Sequence, residues 1–206
     1  DESNLADIET VFNSWDGVIL TVNSSTVSMA ASILVISLIL RSAKGLARSV
    51  YHRILFGMSI ADIIQSFAMA LTTLPMPKDM IYTYDGFVLG NRFTCTAQGL
   101  IIAFGTMTGI VYNGTLSFYY LCSICYDISD DEYKRRFEWK LHVTSVVVGM
   151  ICVFIILVHD GIVNPAPTEA AWCRPSNYPY WCSGEECHGI DMSHIYNINA
   201  FTKEKK

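Results

Sequence analysis

The sequence predicts an all-α integral membrane protein with four transmembrane helices. Three observations carry this: four long uncharged or nearly uncharged blocks, a shortage of charge, and basic residues gathered in two of the connecting loops. Only 16% of the 206 residues are charged and 51% are hydrophobic, against about 25% charged in an ordinary soluble domain. A span needs roughly 20 mostly apolar residues to cross a hydrocarbon core of about 30 Å, and each block meets that length. The net charge of -5 and the lack of a basic stripe argue against nucleic-acid binding. Residues 1–16 hold Asp1, Glu2, Asp7, Glu9 and Asp16 and no base, without the apolar core of a signal peptide.

The first span runs over 17–40, and its many Ser, Thr and Ala residues suit close helix approach in lipid. A short loop with Arg41, Lys44, Arg48 and Arg53 follows. The second span, 54–74, closes at Pro75 and Pro77 and contains one charge, Asp62. The third, 96–126, is uncharged over its whole length. At 1.5 Å per residue it reaches about 46 Å and must tilt or protrude. A loop of mixed charge, 127–140, leads to the fourth span, 141–158. The segment 161–206 is polar, aromatic and cysteine-rich, and it opens on the helix-ending Asn164-Pro165-Ala166-Pro167.

Lys and Arg counts set the orientation. The loops after the first and third spans carry four basic residues each, the loop after the second carries two, and the amino-terminal segment has none. The basic loops are therefore expected in the cytosol, and residues 1–16 and 161–206 outside it. Cys122, Cys125 and Cys152 fall within spans. Cys95, Cys173, Cys182 and Cys187 fall on the outer side, an even number that suits two disulfides. Spacing alone leaves all three connectivities open.

The stretch Tyr51-His52-Arg53-Ile54-Leu55-Phe56-Gly57-Met58-Ser59-Ile60-Ala61-Asp62 resembles the second helix of seven-helix G-protein-coupled receptors. Cys95-Thr96-Ala97-Gln98-Gly99 resembles the start of the third helix in the cAMP-receptor-like branch, and Trp172-Cys173-Arg174 the Trp-Cys of the second extracellular loop. The nearest likeness is to orphan receptor-like proteins of unicellular algae and protists. It covers roughly residues 18 to 187. The resemblance implies the first four helices of a receptor bundle, with the chain stopping after the second outer loop. It also implies a Cys95–Cys173 disulfide, leaving Cys182 with Cys187, and a G-protein partner only together with further helices. The third span ends in Ile124-Cys125-Tyr126-Asp127, not in the family's Asp-Arg-Tyr.

Asp62 is the sharpest local signal. An Asp at a helix centre costs about 2.5–3.5 kcal/mol on insertion scales. Nine Ile, Leu and Phe residues in the second span offset it, so the span still inserts. Such a residue is expected to face the bundle interior, with Ser59, Asn113, Ser117 and Thr106 as candidate partners on the second and third helices. The resemblance adds a sodium or proton role. Asn113-Gly114-Thr115 and Asn23-Ser24-Ser25 fit the glycosylation pattern but lie inside or beside spans, so both are read as accidental. Cys182 and Cys187 with His188 and His194 are too loosely spaced for the usual zinc patterns. Tyr178, Tyr180, Trp181 and Trp172 read as an interfacial aromatic belt. No catalytic motif is present, and no cofactor or metal is expected. The function expected from the resemblance is signal sensing by a receptor-like protein. A four-span assembly subunit, using lipid-embedded contacts with other subunits or with copies of itself, is the alternative. An ion or proton pathway around Asp62 is a weaker one.

Overall fold

The computed structural model describes residues 15–42, 49–76, 88–158, 163–165 and 172–175. Cys182, Cys187, His188, His194, Tyr178, Tyr180 and Trp181 lie outside them, as do Lys44 and Arg48. Four helices are long and apolar enough to cross a membrane: α1 (Trp15–Arg41), α2 (Val50–Ala70), α3 (Arg92–Cys125) and α4 (Asp130–Val158). A two-stranded antiparallel sheet, β1 (Val163–Pro165) with β2 (Cys173–Pro175), lies against α3. α2 packs between α1 and α3, and α3 between α2 and α4.

The interior is rich in small polar residues while the exterior is large and apolar. Ser25, Ser59, Ser66, Thr108, Thr115 and Ser145 are buried; Leu20, Val27, Leu34, Phe67, Ile110 and Phe154 are exposed. Water would penalise this arrangement, since soluble monomers rarely expose such large apolar patches. Lipid favours it, because small residues let helix backbones approach closely. The close approaches are specific. A Cβ on Gly105 would sit 2.7 Å from Cβ of Gln65 on α2. A Cβ on Gly149 of α4 would collide with the Thr108 hydroxyl and the Phe104 ring of α3. On α1, Gly17, Thr21, Ser25, Ser28 and Ser32 recur every three or four residues and form its covered face.

α2 and α3 begin four residues earlier than the sequence suggests, at Val50 and Arg92, and two further differences of boundary bear on the site. The mixed-charge segment 127–140 is mostly helix: α4 starts at Asp130, where the Ser129 hydroxyl accepts from Glu132 N–H at 3.4 Å. Asp130, Asp131 and Glu132 occupy the first turn, where carboxylates complement the helix dipole. A π-helical turn, Lys134–Glu138, then joins this start to the apolar part from Trp139. The second difference is that α2 stops at Ala70, four residues short of Leu74. Thr72 there takes a φ of 43°, a left-handed conformation costing on the order of 1 kcal/mol for a residue with a Cβ. Its carbonyl is held by α3. The start of α3 is secured in turn by Asn91 and Thr94, each side chain bonded to the other's backbone N–H.

The glycine contacts carry a test. Gly105→Ala is expected to cost about 1–3 kcal/mol through overpacking, read as a lower melting temperature in detergent. Gly109→Ala and Gly114→Ala, where a Cβ meets nothing within 4 Å, are expected to be neutral or stabilising by up to about 1 kcal/mol.

Candidate functional site

Three polar ties hold α2 to its neighbours at three levels. The middle one is Asp62. Ser28 Oγ donates to its two carboxyl oxygens at 3.2 and 2.9 Å, and Ser32 Oγ donates to Oδ2 at 2.6 Å. The carboxyl is therefore turned away from bulk lipid and onto α1. Its partners are thus serines of α1, and three of the four candidates expected from sequence bond back to their own helix instead: Asn113 and Thr106 donate to the carbonyls of Gly109 and Ile102, and Ser117 to that of Asn113. Ser59 is buried on α2. Asn113 and Ser117 face outward from α3. The reason is the helix face: Ser28 and Ser32 are one turn apart on the side of α1 that covers α2.

At one end of the bundle, Arg53 of α2 grips Glu138 of α4. Its Nε and Nη2 donate to the two carboxylate oxygens in a fork, the second bond 2.8 Å long. The side chains are only 19% and 10% exposed, so this is a buried pair rather than a surface one. From sequence both fall in the charged loops beside the spans. The wide π-helical turn delivers Glu138 inward while Lys134, Arg135 and Arg136 stay exposed. One turn further on, His142 Nε2 lies 3.9 Å from the Glu138 carboxylate, and His142 Nδ1 meets the Tyr112 hydroxyl of α3 at 3.0 Å. Gly57 of α2 makes room for that phenol, since a Cβ there would sit 2.6 Å from its oxygen. One chain of polar contacts thus joins α2, α4 and α3. Tyr133, Ile54, Val50, Cys122 and Tyr112 form the apolar cluster around it.

At the opposite end, Gln98 of α3 is the hub. Its amide nitrogen donates to the carbonyls of Ala68 and Thr72, both at 2.9 Å, and its oxygen accepts from Cys173 N–H at 3.1 Å. Gln98 is buried, and the two bonds from its nitrogen satisfy carbonyls freed where α2 ends. Beside it, Cys95 is disulfide-bonded to Cys173, with Cα atoms 5.4 Å apart. Both half-cystines are fully buried with Met76. The bond fastens the start of α3 to the chain beyond α4. Cys122, Cys125 and Cys152 are unbonded.

Chemically the site is an arrangement of ties, and Arg53, Asp62, Tyr112, Glu138 and His142 are the titratable groups in it. Among the described residues, no three His, Cys, Asp or Glu side chains converge to hold a metal.

Removing one member of the Arg53–Glu138 pair leaves its partner charged and buried. Arg53→Met is expected to cost near the lower end of the about 3–5 kcal/mol typical of broken buried pairs. The double variant Arg53→Met/Glu138→Met should recover part of that loss in thermal unfolding. For Asp62, a double-mutant cycle with Ser32→Ala is expected to show a coupling of roughly 1 kcal/mol. The same cycle with Asn113→Ala should show none.

Comparisons with family models, with curated proteins and with solved structures return no match.

Proposed function

We propose that this chain is a receptor-like, multi-pass membrane protein for signal sensing, related in plan to G-protein-coupled receptors. The observation that supports it most is the Cys95–Cys173 bond. Spacing left three connectivities open, and the resemblance implied this one. In such receptors the bond fixes the outer loop over the top of the third helix, where ligands arrive. Here the Gln98 contact to the Cys173 backbone adds a second, hydrogen-bonded link at the same place. On this reading the end bearing Arg41, Lys134, Arg135 and Lys140 is cytosolic and the disulfide end is not, as the positive-inside rule requires. Asp62 then sits at mid-depth on the side of α2 facing α1, a position suited to altering how the two helices pack.

A second reading, a four-span assembly subunit, is favoured by the outward face of α3. Ile110, Asn113, Gly114, Ser117 and Leu121 are exposed there. An amide and two small residues facing hydrocarbon are the composition of a helix–helix contact. Either further helices of a receptor bundle or another subunit would cover it.

The test expresses the full gene product in cells carrying sensors of G-protein dissociation across the Gα classes. The receptor reading expects basal coupling that falls in a Cys95→Ser/Cys173→Ser variant and changes in Asp62→Asn. Absence of coupling to every class, with a stable hetero-oligomer on extraction, would favour assembly. Topology is read separately: a cysteine at Asp131 should be labelled only after permeabilisation, and one at Phe93 from outside on intact cells. The reverse pattern would overturn the orientation.

A further inference from the structure

We propose that the amino-terminal part of α4 is a docking surface for anionic phospholipid headgroups. The inference rests on the membrane-spanning reading, but not on the receptor reading. Lys134, Arg135, Arg136, Trp139 and Lys140 are all exposed, immediately before the apolar run that begins at Leu141. From Lys134 to Lys140 is about 9 Å of helix, close to the depth of a headgroup layer of roughly 5–8 Å on each side of the hydrocarbon. Trp139, 60% exposed, sits where an amphipathic ring prefers to lie.

The distribution of acids makes this surface positive, although the segment is rich in both signs. Glu138 is the acid at headgroup depth, and the π-helical turn directs it inward to Arg53, leaving it 8% exposed. Asp130 accepts from the Tyr119 hydroxyl at 2.8 Å. Glu132 is paired with Arg136 at 2.9 Å. Asp127 and Asp131 are exposed but lie at or before the first turn, farther from the apolar run. Lys134, Arg135 and Lys140 have no acidic partner among the described residues. Three uncompensated cations and a tryptophan within the thickness of one headgroup layer are complementary to a phosphate-bearing interface. An acidic protein segment would also satisfy the charges. The lipid is favoured because the cations continue directly into a lipid-facing apolar surface formed by Val143, Val146, Val147 and Met150.

The experiment reconstitutes the chain in phosphatidylcholine discs doped with phosphatidylserine and counts the lipids retained on gentle extraction by mass spectrometry. Incorporation into the disc tests the membrane reading; the headgroup ratio tests the surface. The wild type is expected to retain phosphatidylserine above its bulk proportion. Each cation near a surface is worth on the order of fivefold, so Lys134→Gln/Arg135→Gln/Lys140→Gln should lower the enrichment by about tenfold or more. Lys134→Arg/Lys140→Arg should keep it, which separates charge loss from misfolding. High salt should weaken it, as for any exposed charge. Equal retention of both lipids by the wild type, unchanged enrichment in the triple Gln variant, or capture of an acidic peptide with no lipid preference would each overturn the proposal.

Discussion

For helices that cross hydrocarbon, a polar group must find its partner inside the protein, on its own helix or on a neighbouring one. That constraint organises this molecule, and α2 is where it acts. The helix carries a guanidinium near one end, a carboxyl in the middle and freed backbone carbonyls at the other end. Each is answered by a different neighbour: Glu138 of α4, Ser28 and Ser32 of α1, and Gln98 of α3. Hydrophobic burial does not distinguish one helix arrangement from another when the surroundings are equally apolar. Small residues that permit contact, and polar residues that reward it, select the packing. Gly57, Gly105 and Gly149 supply the first, and the three ties supply the second.

The ties differ in stiffness. The forked Arg53–Glu138 pair is geometrically demanding and sits in an apolar cluster. The Gln98 hub is reinforced covalently by the disulfide beside it. Among the described residues Asp62 is held by two serine hydroxyls, each of which can turn back to its own helix carbonyl instead. The two ends of α2 are therefore clamped, and the middle is joined to α1 by its most exchangeable contact. A device that changes state by shifting helices would keep its adjustable contact at such a place.

Much of the fold was legible in the residues, for a physical reason: crossing a hydrocarbon core demands length and apolarity, and both are one-dimensional. The four helices show this, with every end within four residues of the sequence reading except the fourth's start. Asp62 stood out because it is the single charge in an apolar block. Its partners did not, because Ser28 and Ser32 lie in a span rich in small hydroxyl residues, and only the three- and four-residue spacing from Thr21 to Ser32 marks the covered face. Arg53 and Glu138 were hidden differently. A charge next to a span reads as a loop residue, yet both are helical and turned inward. Cues were present in Ser129-Asp130-Asp131-Glu132, which has the form of a helix start, and in Tyr133 and Phe137, apolar residues four apart inside a supposedly charged loop.

The central claim is that α1 and α2 meet through Ser28, Ser32 and Asp62. Oxidative cross-linking of paired cysteines tests it most directly, in membranes and without any ligand. A Ser32→Cys/Asp62→Cys chain, cleaved by protease between α1 and α2, is expected to stay joined under non-reducing conditions. An Asn113→Cys/Asp62→Cys chain, cleaved between α2 and α3, is expected to separate. Efficient cross-linking of the Asn113 pair, with none for the Ser32 pair, would contradict this account of how the helices are held.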